Sequence, residues 1–250
     1  MMAEPKYVNT LGFKVFSDAL DLISIDNNTA KVINTISPNS YGLSTKDIVF
    51  RESLKKSDYL VLDGVYFAIA SILLQWKNIK RNQGPDVFQH FINRSAINGN
   101  RVFFLGSTPE TLKKIKMRLG KEYPNVEAMF YSPPFKNEFS ENDNSEMINA
   151  INHFKPDILF VGMTCPKQEK WAVKNKKFLN TGLIICIGNV FDWFAGTQRV
   201  IHPFWYKLRL GWLVRIFLRP EIFKRNIGNQ MKLFTDVILL FLRIKKMNNA

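Results

Sequence analysis

Between residues 30 and 187 the chain alternates short apolar runs with longer amphipathic stretches. The runs are Ala30–Ile36, Tyr59–Leu62, Arg101–Leu105, Val126–Phe130, Asp157–Val161 and Leu183–Ile187. They are nearly continuous in apolar residues, the pattern of strands covered on both faces. Between them, apolar positions recur at helical spacing in Thr45–Lys56, Val65–Trp76, Asp86–Ile97, Pro109–Leu119, Ser145–Phe154 and Lys167–Lys177. Strands alternating with helices predict an α/β fold built on a mainly parallel sheet flanked by helices. The polar stretch from Ser132-Pro-Pro to Glu146 reads as a loop.

Polar residues and glycines collect where those strands should end. Thr35, Ser37 and Asn39 follow the first run, and Asp63-Gly64 the second. Gly106-Ser107-Thr108 follows the third, Gly162 through Glu169 the fifth, and Gly188 through Gly196 the last. In a parallel sheet these ends share one edge, where ligands of open α/β sheets bind. The segment from Asp157 to Glu169 carries the clearest signal: an apolar run, Gly162 for a close backbone approach, Pro166 suited to a first helical turn, then Lys167, Gln168 and Glu169 opening a helix. A helix N-terminus there offers free N–H groups to an anion such as a nucleotide diphosphate. The same residues also suit an ordinary strand–turn–helix junction.

Individual side chains admit two readings each. Asp63, at a strand end before an apolar helix, is the candidate general base, because partial desolvation raises a carboxylate toward a useful pKa. It equally suits the N-cap of the helix from Val65. Gly106 and Ser107 can hold a phosphate or form a plain capped turn. Asp192 can read a sugar or ribose hydroxyl, or cap a short helix.

The charge narrows the partners. The 250-residue chain carries a net +14 at neutral pH, which calls for an anionic partner. Basic and aromatic residues concentrate after Arg199, so the chain divides into a core, residues 1–197, and a mostly helical appendage, residues 198–250. Phe223, Ile227, Met231, Phe234, Ile238 and Phe241 recur along one helical face, with Arg225, Lys232 and Arg243 beside it. That arrangement suits an anionic membrane surface, or packing on the core or on another subunit. Gly228 marks a place for a bend or break. Nucleic acid is not expected, since the aromatics lie on an apolar face instead of offering separate stacking platforms. Cys165 and Cys186 give no disulfide framework, no secretory signal opens the chain, and no apolar run is long enough to span a bilayer. Gly-x-Gly-x-x-Gly, Walker A, zinc-ligand and Asp-x-Asp patterns are absent from the sequence, so no cofactor and no metal are expected.

With these residues in view the chain resembles the bacterial WecG/TagA/CpsF glycosyltransferases, from about Thr35 to Arg225. The motifs that carry the resemblance are Asp63-Gly64; Arg81-Asn-Gln-Gly84-Pro-Asp86; Phe104-Leu-Gly106; Ser132-Pro-Pro-Phe135; Lys155-Pro-Asp157 with Val161-Gly162; Pro166-Lys-Gln168-Glu169; Gly188-Asn-Val-Phe191-Asp192-Trp-Phe-Ala-Gly196; and Trp212-Leu-Val-Arg215. The resemblance implies a Rossmann-like core and an inverting, metal-independent transfer of an N-acetylmannosamine-type or glucose-type sugar from a UDP-sugar to a polyprenyl-diphosphate-linked sugar. It implies Asp63 as catalytic base with Thr35 beside it. Gly106, Ser107, Gly162, Gln168, Glu169 and Asp192 would bind the donor. Arg81, Asp86, Arg215 and Arg225 would hold the acceptor or the diphosphate. A protein peripheral to the inner face of the cell membrane, and a possible homo-oligomer, follow as expectations. The chain departs from the family where Thr-x-Asn becomes Thr35-Ile36-Ser37 and where Leu-Glu-Trp becomes Leu210-Gly211-Trp212, which bears on which sugar and which acceptor are read.

Overall fold

All six apolar runs form strands, with bounds within two residues of those the pattern sets. The computed structural model describes residues 5–27, 29–197 and 220–244. Its eight strands are β1 (Tyr7–Thr10), β2 (Phe13–Phe16), β3 (Lys31–Ile36), β4 (Tyr59–Leu62), β5 (Val102–Gly106), β6 (Ala128–Tyr131), β7 (Ile158–Gly162) and β8 (Leu183–Cys186). They form one sheet in the order β1-β2-β4-β3-β8-β7-β5-β6. Only the β1–β2 pair is antiparallel. The expected mainly parallel α/β sheet is therefore present.

Helices cover both faces. They are α1 (Pro38–Ser44), α2 (Ile48–Lys55), α3 (Val65–Gln75), α4 (Gly84–Asn98), α5 (Pro109–Glu122), α6 (Glu141–Phe154), α7 (Lys167–Asn175), α8 (Gly188–Phe194) and α9 (Pro220–Phe241). On one face, Phe88 and Phe91 of α4, Ile115 of α5 and Phe191 and Phe194 of α8 pack on Val61, Phe104, Phe160 and Ile185. On the other, α1, α2, α3 and α9 cover the β2–β4 end, while α6 and α7 cover β5, β7 and β8. Alternate strand residues feed opposite faces, so both are apolar, and the sheet reads as runs with no polar side.

Several elements go beyond the sequence pattern. The β1–β2 hairpin turns through Leu11 and Gly12, both at positive φ (51° and 79°), as a two-residue turn requires. The polar string from Ser37, for which the pattern set no element, is a helix: Ser37 caps it, Ser40 returns the bond to the Ser37 N–H, and Pro38 occupies the first turn. Helix α6 starts at Glu141, four residues before the expected Ser145, because Ser140 and Asp143 form another capping box. The last six residues of the expected loop from Ser132 to Glu146 are thereby helical.

Helix α9 lies against α1 and runs through Gly228 without a break. At Gly42 of α1 a Cβ would sit 2.1 Å from the Asn229 carbonyl oxygen, so the two helices touch backbone to backbone. Leu233 is buried in the shared core. Asp236 is 0% exposed. It accepts from the Tyr41 hydroxyl (2.9 Å) and from Lys232 Nζ (2.8 Å). Asn229 donates to Asn39 Oδ1 (3.1 Å) and accepts from Lys46 Nζ (3.1 Å). The appendage helix is thus tied to the helix that begins at the end of β3.

Removing the buried carboxylate leaves a tyrosine hydroxyl and an ammonium without their acceptor. Asp236→Ala is expected to cost about 3–5 kcal/mol. Tyr41→Phe, which leaves the Lys232 contact, is expected to cost about 1–3 kcal/mol. Denaturant unfolding followed by circular dichroism measures both, and a loss below about 1 kcal/mol in Asp236→Ala would show that this contact does not anchor α9.

Candidate active site

The strand registers bring the polar residues onto one edge in a fixed sequence. Thr35 pairs with Val61 and Ile36 with Leu62, so Thr35, Ser37 and Asp63 share the carboxyl ends of β3 and β4. The Asp63 N–H donates to the Ile36 carbonyl (2.9 Å), fixing this junction. Next along the edge come Gly188 after β8, Gly162 at the end of β7, Gly106 at the end of β5, and Ser132 after β6. From β4 to β5 is four strand steps of about 4.8 Å, roughly 19 Å. The chain leaves β5 for β6 on one side and β7 for β8 on the other, through helices on opposite faces. That divergence is a topological switch point, where open α/β sheets form a crevice.

Asp63 is half-buried and does not cap α3; the N-cap is Gly64, at φ 91° and ψ 163°. The capping alternative is therefore not realised, and the carboxylate stands at the strand end ahead of the helix. Segment 79–82 lies alongside the end of β4: Arg81 bridges to Leu62, and the Asn82 N–H donates to the Leu62 carbonyl (3.2 Å). The backbone thus brings the exposed Arg81 beside Asp63. Asp86 sits three residues into α4 and accepts from the Gln83 N–H (3.2 Å), a capping-box role.

At the switch point two glycines face each other. Gly106, at φ 119°, pairs with Gly162, and a Cβ on Gly106 would lie 2.5 Å from the Gly162 carbonyl oxygen. A Cβ on Gly162 would lie 2.3 Å from the Phe191 ring, so a protein side chain fills the space beside that glycine. Ser107 is held at φ 61°, and its carbonyl accepts from the Ser132 hydroxyl (2.7 Å). Thr108 caps α5, its hydroxyl accepting from the Thr111 N–H (3.2 Å). Ser107 is left half-exposed at the rim.

The α7 residues are placed differently from Asp63. Gln168 and Glu169 are both buried. Gln168 Oε1 accepts from the Gly188 N–H (3.0 Å), and its Nε2 donates to Glu169 Oε1 (2.9 Å). Burial pushes the Glu169 carboxyl above its usual range. Asp192 is half-buried within α8 and does not cap it. The Thr197 hydroxyl donates to the Asp192 carbonyl (3.1 Å). Arg215 lies outside the described residues, as does the side chain of Arg225.

Two contributors are not evident from the sequence pattern. Phe191 was read only as part of a motif, yet its ring closes the Gly106–Gly162 contact. Lys167 reaches across to the Lys136 carbonyl and lies over the Phe139 ring, strapping loop 132–140 to the start of α7. Only the tertiary fold brings those partners together.

Comparison with known proteins gives concordant results. The family model described as the glycosyl transferase WecG/TagA/CpsF family matches residues 8–247. A Bacillus subtilis (strain 168) protein named N-acetylglucosaminyldiphosphoundecaprenol N-acetyl-beta-D-mannosaminyltransferase is 27% identical over 222 residues, 89% of this chain and 84% of the relative. A Staphylococcus aureus (strain NCTC 8325 / PS 47) protein of the same name is 25% identical over 186 residues, 74% of this chain and 71% of the relative.

The glycine pair gives a direct test of the edge geometry. Gly162→Ala forces its methyl group into the Phe191 ring and is expected to cost about 1–3 kcal/mol. It should also displace α8, which carries Asp192. A thermal melt and the near-ultraviolet signal report both effects; an unchanged melt would mean that the edge is looser than the packing indicates.

Proposed function

The chain belongs to the WecG/TagA/CpsF family of glycosyltransferases, and from that premise we propose that it transfers an N-acetylmannosamine-type or glucose-type sugar from a UDP-sugar to a polyprenyl-diphosphate-linked sugar, with inversion and without a metal. The observation that carries this reading is the placement of Asp63. It is a half-buried carboxylate at the end of β4, one residue ahead of the Gly64 N-cap, with Thr35 and Ser37 next to it and Arg81 alongside. The relatives' shared name describes transfer of N-acetylmannosamine to a diphosphoundecaprenol-linked N-acetylglucosamine, and the donor preference of this chain is read from that likeness.

The donor lies along the carboxyl edge, its nucleotide end toward Gly106 and Ser107 at the switch point and its sugar reaching toward Asp63. Asp63 takes the proton of an acceptor hydroxyl while that oxygen attacks the anomeric carbon from the face opposite UDP. A new C–O bond forms, the bond to the diphosphate oxygen breaks, and UDP leaves with the electron pair. Cations such as Arg81, Arg215 and Arg225 stabilise the departing charge. Asp192 reads donor hydroxyls from α8.

An anionic membrane surface is the second partner, on the inner face of the membrane where lipid-linked acceptors are met. Among the described residues no helix is long and apolar enough to cross a membrane. Helices α3 and α9 instead meet through the rings of Tyr66 and Phe234 (5.4 Å) and expose a joint apolar face. It includes Ile69, Leu73 and Trp76 (91% exposed), with Ile238 and Phe241 (63%) on α9. Lys77, Lys80, Arg81, Lys224 and Arg243 are also exposed on or next to these helices, whereas no described acidic side chain of α3 or α9 is exposed. Helix α3 starts two residues after Asp63, so this surface adjoins the proposed base.

Two measurements test these readings. Asp63→Asn should retain UDP binding and lose about 10²–10⁴ in turnover with a lipid-diphosphate acceptor; near-normal turnover removes Asp63 from the role. The double variant Trp76→Ser/Phe241→Ser should bind vesicles containing anionic phospholipid at least about tenfold more weakly, since each ring contributes about 1.5–3 kcal/mol when buried. Unchanged partitioning, or a lipid-independent change in oligomeric mass, would instead assign the face to contacts between copies of the chain.

A further inference from the structure

Gln168 and Glu169 stand at the head of α7, on the edge read above as the donor site, and both are buried. Glu169 is 2% exposed and Gln168 5%. The Gln168 carboxamide is committed at both ends, accepting from the Gly188 N–H and donating to Glu169 Oε1. Gly188 is the first residue of α8, so one N–H that a helix start would offer to a phosphate is already bound to protein. The turn leaves little room around this bond: a Cβ on Gly188 would lie 2.1 Å from the Met163 carbonyl oxygen and 3.0 Å from Gln168 Oε1. The Cys186 thiol adds a weaker tie to the Gln168 carbonyl (3.7 Å).

Glu169 sets which way the Gln168 amide faces. A flipped carboxamide would aim Nε2 at the Gly188 N–H, donor against donor, and would turn its oxygen toward the carboxyl oxygen that now accepts from it. The geometry points to a two-step clamp: we propose that Gln168 holds the β8–α8 turn, and with it Asp192, that Glu169 orients Gln168, and that neither touches the sugar nucleotide. Both are positioning residues.

The surroundings of Glu169 disfavour the charged form. Its Oε2 is buried without a hydrogen-bond partner. The Cys165 and Cys186 thiols lie near it, and the adjacent ammonium, Lys170, is paired with Asp47. A bare carboxylate oxygen in that setting is costly, and burial raises the carboxyl's pKa accordingly. The feature Gln168 uses is the carboxyl's acceptor oxygen, which a glutamine would also supply.

The inference rests on the reading of this edge as a glycosyl-transfer site, and its test separates the two. Hydrogen exchange on the full chain without substrate should show segment 187–194 opening at least about tenfold faster in Gln168→Met and in Glu169→Met. Glu169→Gln should restore slow exchange and recover most of the turnover and donor KM that Glu169→Met loses. In a double-mutant cycle, Gln168→Met combined with Asp192→Ala should lose no more than about threefold in kcat/KM beyond Asp192→Ala alone, as expected for residues acting through one element. Unaltered exchange in both methionine variants, a Glu169→Gln enzyme as impaired as Glu169→Met, or losses that multiply in the double variant would each overturn the clamp. If Gln168→Met does not fold, the Glu169→Met and Glu169→Gln pair still decides by the exchange readout. A wild-type protein inert with every UDP-sugar would sink the transfer reading, while the exchange measurement would still judge the clamp.

Discussion

The carboxyl edge of this sheet depends on a contact with no room in it. Gly106 and Gly162 meet across β5 and β7, and the Phe191 ring sits where a Gly162 side chain would be. Because α8 supplies that ring, the helix carrying Asp192 is registered against the strands at the switch point. The next tie is the Gln168–Gly188 bond, which fastens the same helix to α7. Three segments distant in sequence are thereby fixed to one another by contacts that tolerate no extra methyl group. Close packing of this kind has few alternative arrangements, so a shallow rim can hold a defined geometry.

The sheet was legible in the sequence because β3, β4, β5, β7 and β8 are largely buried on both faces and their apolar runs have few polar interruptions. The hairpin was not: β1 and β2 are short, and Leu11 at positive φ gives little turn signal beside Gly12. Helix α1 was not marked by the pattern, because its capping residues, Ser37, Pro38 and Ser40, are those that also make turns. At the site, the polar rim could be read from residue types at strand ends. Which of those residues are reachable could not, because burial depends on neighbours from other segments. Gln168 and Glu169 belong to that rim by residue type, and the fold buries both and ties Gln168 to the start of α8. The tail stripe was read as one apolar face. In the fold, Leu233 packs inward while Met231, Phe234, Ile238 and Phe241 stay outside, because α9 is apolar over more of its circumference than a single stripe.

The tail helix and the site share a framework. Helix α1 begins immediately after Thr35, Ile36 and Ser37, and it receives α9 through Gly42, Tyr41 and Asn39. Helix α3 begins immediately after Asp63 and meets α9 through Tyr66. The two strand ends that bear the proposed base and its neighbours therefore run directly into the two helices on which α9 rests. A surface that settles on the exposed side of α3 and α9 would be held at a fixed offset from Asp63. For an enzyme taking a lipid-linked acceptor, such an offset sets where the reactive hydroxyl can arrive.

On the proposed reading, the same edge distinguishes one carboxylate among several as the base. A base must be reachable by the hydroxyl it deprotonates. Glu169 fails on access, being enclosed and engaged with Gln168. Asp86 is engaged in the capping box of α4. Asp192 sits within α8, on the far side of β3 from β4, where it is better placed to read the donor than to meet the acceptor. Asp63 lies at the strand end nearest the apolar face, and the left-handed Gly64 separates it from the helix it would otherwise cap. Gly64, not Asp63, occupies the N-cap position of α3, and Asp63 stands half-buried at the rim, on the side of the exposed α3–α9 face.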